Sequence, residues 1–132
     1  MSTVLVAGTF DGIHPGHINF FEQALKHGDR LVVIVAREIT VKKVKGQLPQ
    51  IDEATRLRLI SEQPLVSHSV LGSLKDPFHT VVKVNPDVVA IGYDQTSFTK
   101  SLKFELESRG ISPEIIRLKP FHPEKYKSSK LK

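Results

Sequence analysis

Apolar residues along this chain fall into short unbroken runs, separated by stretches in which they recur every three or four positions. Val4-Leu5-Val6-Ala7 is such a run and predicts a buried first strand. Ile18, Phe21 and Leu25 then follow helical spacing, flanked by Phe20 and Ala24, which predicts an amphipathic helix from Gly16 to His27. Gly28 is placed to end it as a C-terminal glycine. Leu31 to Ala36 is apolar and mostly β-branched, the pattern of a strand covered on both faces of a parallel sheet. Arg37 to Pro49 is polar and basic and reads as a loop. A helix is predicted from Asp52 to Glu62, with Ala54, Leu57 and Ile60 toward the core and Pro64 beyond it. Val66 to Leu71 predicts a third strand and Gly72 to Pro77 a turn. Phe78, Val81, Val82 and Val84 mark a short helix stopped at Asn85-Pro86. Val88 to Ile91 predicts a fourth buried strand, and Thr99 to Ser108 a helix closed by Gly110. Glu114 to Leu118 predicts a fifth strand, polar at its start and suited to a sheet edge.

Strands alternating with helices give an α/β fold, doubly wound around a mostly parallel five-stranded sheet. With 132 residues and no linker, repeat or low-complexity stretch, the expectation is one domain, residues 1–132. No apolar run has the length of a membrane span. Met1-Ser2-Thr3 leads straight into a strand without a basic region, so no signal peptide is expected. The absence of cysteine excludes disulfides, thiolate zinc sites and thiol nucleophiles, and fits a cytoplasmic setting. A net charge of +5 suits an anionic ligand. The basic residues are dispersed, apart from Lys42, Lys43 and Lys45 and the tail at Lys125, Lys127, Lys130 and Lys132. There is no arginine-rich recognition helix, so nucleic acid is not an expected partner.

The chemistry concentrates at Gly8-Thr9-Phe10-Asp11-Gly12-Ile13-His14-Pro15-Gly16-His17, where the first strand hands over to the first helix. Glycines there allow a tight turn and close approach to a phosphate. His14 and His17, three apart, lie on one side of the first helical turn. Bare N–H groups and the positive end of the helix dipole are expected beside them, a site for a polyphosphate. Asp11 admits two roles: acting at the site, or ordering the glycine turn through backbone hydrogen bonds. His27, His68, His79 and His122 have no spacing that argues for a metal site.

The run G-T-F-D-x-x-H-x-G-H resembles the signature of the cytidylyltransferase-like nucleotidyltransferases, which join a nucleoside monophosphate to a phosphate-bearing acceptor and release pyrophosphate. The likeness extends through Val35-Ala36-Arg37-Glu38, Thr40-Val41, Lys43, Val70-Leu71-Gly72-Ser73, Asn85-Pro86-Asp87-Val88-Val89 and Gly92-x-Asp94-Gln95 to residue 129. Along that length it is similar to archaeal-type FAD synthases. The resemblance implies a Rossmann-like nucleotidyltransferase fold with strand order 3-2-1-4-5, and a crevice between strands one and four where His14, His17 and Asp94 meet. It implies transfer of AMP from ATP to FMN, with a divalent cation such as Mg2+. His14 and His17 would then contact the phosphates and stabilise the transition state. Thr9, Phe10, Pro15 and Gly16 would line the phosphate pocket, and Lys43 would reach the phosphates from the loop after strand two, with Lys42 or Lys45 as substitutes. Asp94 would take the nucleoside, and Phe121 or Tyr126 would stack on the base or serve packing. Ser128-Ser129 resembles the serine/threonine-rich start of a second signature that grips the outer phosphates; here only Lys130-Leu131-Lys132 follows, where the family continues into a full helix. Arg56, in Glu53-Ala54-Thr55-Arg56, is similar to an E-x-x-R helix start; a phosphate contact and a structural ion pair both suit it. Two alternatives stand beside this reading: a glycerol-3-phosphate cytidylyltransferase using CTP, and a nucleotide-binding module without turnover. Relatives are often homodimers.

Overall fold

The computed structural model describes residues 2–73, 76–92 and 99–119. Strands and helices alternate along it: β1 (Thr3–Gly8), α1 (Pro15–Leu25), β2 (Arg30–Val35), α2 (Glu38–Lys45), α3 (Glu53–Ser61), β3 (His68–Leu71), α4 (Pro77–Val84), β4 (Val88–Ile91), α5 (Thr99–Ser108) and β5 (Glu114–Arg117). The strands form one sheet in the order β3-β2-β1-β4-β5, and every neighbouring pair is parallel. This is the doubly wound order expected, with β5 at an edge.

The unbroken apolar runs serve two cores at once, because successive strand residues point to opposite faces. Val4 and Val6 of β1, Leu31, Val33 and Val35 of β2, and Val88 and Ala90 of β4 pack with Phe21 and Ala24 of α1 and Ile60 of α3. The residues between them, Leu5, Val32, Ile34, Val89 and Ile91, pack on the other face with Val81 of α4 and Leu102 and Leu106 of α5. Among the described residues no helix is long and apolar enough to cross a membrane.

Three local expectations are corrected. Arg37 to Pro49 is not a loop throughout: α2 occupies Glu38–Lys45 and ends at Gly46, whose φ of 83° is left-handed. Glu38 in its first turn and Lys42, Lys43 and Lys45 in its last complement the helix dipole. Gly28 is not a left-handed helix cap, since α1 already ends at Leu25 with Lys26 as its cap. Its smallness serves packing, because a Cβ there would lie 2.5 Å from Val4 Cγ2 and 2.9 Å from the Ser2 carbonyl oxygen. On α3, Ala54 is exposed, and Arg56 takes the buried position one turn before Ile60.

Candidate active site

After Gly8 the chain reverses. Phe10 sits at φ 52°, a left-handed conformation uncommon for a residue with a side chain. The reversal turns its ring into the core, 6% exposed, against Gly8, where a Cβ would lie 2.9 Å from Phe10 Cζ. The same ring meets Phe21 at 5.6 Å and stands edge-on to His17 at 5.3 Å and 71°. Phe10 thus contributes a packed platform for His17. Gly12, at φ 110°, continues the turn in a region open to glycine.

His14 is the N-cap of α1. Its Nδ1 accepts from the Gly16 N–H at 3.0 Å, and its own N–H donates to His17 Nδ1 at 3.3 Å. This is a capping box built from two imidazoles. The rings stack, with centroids 3.8 Å apart and planes 25° from parallel. The helix start is therefore not bare, contrary to expectation. Pro15 has no N–H, Gly16 donates to the His14 ring, and the His17 and Ile18 N–H groups donate to the His14 carbonyl at 2.9 and 3.3 Å. The positive dipole end remains, and the two imidazoles stand beside it.

Burial and the neighbouring His14 charge push the His17 pKa down to about 4, against an opposing contribution from the Gly12 backbone. Burial also lowers His14. Both rings are thus held neutral near pH 7. Each Nδ1 accepts a hydrogen bond, so each neutral ring carries its proton on Nε2. The result is a pair of neutral imidazoles, fixed in orientation, at the carboxyl end of β1, the central strand flanked by β2 and β4. In open parallel sheets this end, where the winding reverses, is where ligands sit. Beside it, Ile13, His14, Pro15, Ile18, Asn19 and Glu22 line an open groove of about 510 Å³.

The other predicted residues divide. Thr9 lies at the turn, with its carbonyl oxygen accepting from Arg56 at 2.8 Å. Pro15 and Gly16 open α1. Lys43 is exposed on α2 rather than on a loop. Arg56 is fully buried: Nε donates to the Ile51 carbonyl at 2.8 Å, and Nη1 to the carbonyls of Thr9 at 2.8 Å and Ala36 at 2.7 Å. It is a tie between main-chain segments, neither of the two roles expected of it. Asp11 orders backbone through hydrogen bonds, but that of another segment than the glycine turn. Its oxygens accept from the Gln50 and Ile51 N–H groups, each at 2.8 Å, and so bind the α2–α3 connection. Asp94, Phe121, Tyr126, Ser128 and Ser129 lie outside the described residues. Sequence reasoning missed Glu53, which accepts from the Glu38 N–H at 2.9 Å and meets Arg37 at 3.3 Å. Its signal was the spacing to Arg56, one helical turn later.

Among the described residues no three His, Asp or Glu side chains converge as a metal site. The Asp11 carboxylate is already occupied by two amides. The described residues therefore do not by themselves make a protein-built cation site.

Comparison with known proteins agrees with this geometry. The sequence model of the cytidylyltransferase-like family matches residues 5–132. The chain is 44% identical over 129 residues to the FAD synthase of Archaeoglobus profundus, covering 98% of this chain and 82% of that one. It is 42% identical over 127 residues to the FAD synthase of Methanocella arvoryzae, covering 96% and 89%. Its fold is similar to the crystal structure of the lipopolysaccharide core biosynthesis protein from Thermoplasma volcanium GSS1, with TM-score 0.86 and 39% identity over 92% of this chain and 98% of that one. A protein of unknown function from Archaeoglobus fulgidus shares the fold at TM-score 0.70 and 17% identity, covering 90% of each chain. With a family match across almost its whole length and the histidine pair in place at the end of β1, this chain belongs to the cytidylyltransferase-like family.

Proposed function

We propose that this protein is an FMN adenylyltransferase, transferring AMP from ATP to FMN to give FAD and pyrophosphate. The observation that carries the reading is its likeness to FAD synthases along nearly the whole chain, with both signature histidines present. An oxygen of the FMN phosphate attacks the α-phosphorus of ATP. The new P–O bond forms as the bond from the α-phosphorus to the bridging oxygen breaks, and pyrophosphate leaves with that oxygen and its charge. The attacking phosphate is already anionic, so no base need remove a proton. What the reaction demands is in-line placement and stabilisation of charge as it shifts.

His14 and His17 meet the second demand as neutral Nε2–H donors, oriented before substrate arrives by the hydrogen bonds to their Nδ1 atoms. Lys43 on α2 adds a cation toward the phosphates, with Lys42 and Lys45 beside it. Thr9, Phe10, Pro15 and Gly16 shape the phosphate loop. By resemblance, Asp94 receives the ribose hydroxyls, and Ser128 and Ser129 the outer phosphates; Phe121 or Tyr126 stacks on the base. A divalent cation such as Mg2+ would supply further neutralisation of the phosphate charge, and as an ion that keeps most of its waters it would need few protein ligands. A cytoplasmic reaction fits the use of ATP.

The test is pyrophosphate release with magnesium across four pairings, ATP or CTP with FMN or glycerol 3-phosphate. Release with ATP and FMN alone, together with FAD formation, is the expected result. Release with CTP and glycerol 3-phosphate would keep the mechanism and replace the substrates. Binding of ATP without release in any pairing would favour a non-catalytic module.

A further inference from the structure

The first turn of α3 holds the main chain that follows β1 and β2 beside the histidine pair. Arg56 binds Thr9 in the phosphate loop, Ala36 after β2, and Ile51 just before its own helix. It is fully buried and, among the described residues, in no ion pair; Asp52, at the start of the same helix, feels its charge without pairing with it. Its Nη2 is closed to solvent and has no hydrogen-bond partner among the described residues. A phosphate therefore cannot reach this guanidinium without displacing the loop.

Asp11 closes the circuit from the opposite side. It accepts the Ile51 N–H, while Arg56 donates to the Ile51 carbonyl. Ile51 is thus held at both ends of its own backbone, once by the phosphate loop and once by the arginine that also binds that loop at Thr9. Glu53 extends the arrangement to α2 by accepting the N–H of Glu38, the first residue of that helix. Arg37, which pairs with Glu53, donates through Nε to the Gly72 carbonyl after β3 at 2.7 Å.

We propose that Asp11, Glu53 and Arg56 form a latch that sets the lysine-bearing helix α2 in register with the His14–His17 loop, so that cations and imidazoles converge on one polyphosphate. They are positioning residues, acting through main chain and not by touching the nucleotide. The latch rests on the nucleotidyl-transfer reading of the site. Groups misplaced by about 1 Å cost on the order of 100-fold in rate, whereas ground-state binding of a flexible anion is more forgiving.

The experiment is a double-mutant cycle in the full chain, between D11A and a triple variant K42A/K43A/K45A. Asp11 and the three lysines are exposed, and a melting curve of each variant checks that it folds. The expected D11A result is a fall in kcat of roughly 30- to 100-fold, with affinity for a non-hydrolysable ATP analogue within about threefold and melting temperature close to the parent. The combined variant should lose less than the product of the separate losses, since without the lysines their placement no longer matters. Losses that multiply in full, a triple variant with unchanged kcat, or an affinity that falls in step with kcat would each overturn the latch.

A readout independent of turnover is hydrogen exchange at the Gln50 and Ile51 amides, expected to be slow in the parent and fast in D11A. Equal exchange in both would also overturn the latch. Slow parental exchange without FAD formation from ATP and FMN would count against the proposed reaction instead. R56K, keeping the charge but not the three-way donor geometry, should reproduce the kcat loss if it folds; full activity in R56K would remove Arg56 from the latch.

Discussion

An imidazole that is to donate a hydrogen bond to a phosphate oxygen must hold one proton without competing for a second, and burial keeps His17 in that neutral form. Unfolded, a histidine takes up a proton near pH 6.5; folded, His17 does so only near 4. Between those values the unfolded chain binds more protons, so stability falls as the pH drops. A displacement of that size corresponds to roughly 3 kcal/mol, lost progressively from pH 6.5 to 4. The melting temperature should therefore fall between pH 7 and 4.5, and fall less in H17Q; equal falls would mean that other groups carry the acid sensitivity. At pH 7 the same variant should lose about 100- to 1,000-fold in kcat, the scale of removing one transition-state donor, and the kinetics of pyrophosphate release will show it. The histidine pair was legible in the sequence, because spacing alone puts both rings on one turn. Which ring nitrogen carries the proton was not, since it follows from a capping box that His14 and His17 complete in space, with the Gly16 N–H on His14. Arg56 was misread for a similar reason: a pattern such as E-x-x-R does not say whether its guanidinium turns toward a ligand or into the main chain.

Among the elements, α2 is the one that hydrophobic period could not reveal. Its buried residue is Val41 alone, so no apolar stripe marks it. What supports it is local: Glu38 at the positive end of the dipole, three lysines at the negative end, and a left-handed glycine at the close. Its N-terminus is held from outside by Glu53, a contact between separate elements that no single stretch displays. The strands were easier to find because β1, β2 and β4 are apolar on both faces, a pattern that needs no partner to be recognised. If Gly46 closes α2 through its φ of 83°, G46A should destabilise the protein by about 1 kcal/mol, as the backbone cost of a left-handed alanine. A Cβ there meets nothing within 4 Å, so the loss is conformational and not steric. G46N, which tolerates that conformation, should recover about half in chemical denaturation; identical losses would assign the effect to something other than the cap.

For the whole molecule, the pattern of strands and helices identified a doubly wound α/β fold, but not the order of strands within it. Order depends on which runs become neighbours, and here it came from the family resemblance before the pairings of β1 with β2 and β4 bore it out. That order gives the site its setting, at the carboxyl end of a central strand in a chain of net charge +5. Polyphosphate binding should consequently couple to the stability of the entire fold. A ligand that binds only the folded state at 100 times its Kd adds about 2.7 kcal/mol, on the order of 10 °C in melting temperature for a domain of this size. Inorganic pyrophosphate and ATP should both raise the melting temperature by amounts of this kind as they approach saturation. Two features identify the source of the effect. If the lysines of α2 share in binding, the shift at fixed ligand concentration should shrink as salt rises, because exposed charges are screened within about 10 Å at 0.1 M ionic strength. If the neutral imidazoles share in it, H14A/H17A should lower the shift while leaving its fractional dependence on salt in place, because uncharged donors do not release counter-ions. A shift that vanishes in H14A/H17A and ignores salt would put the binding on the imidazoles alone and leave α2 out of the phosphate site.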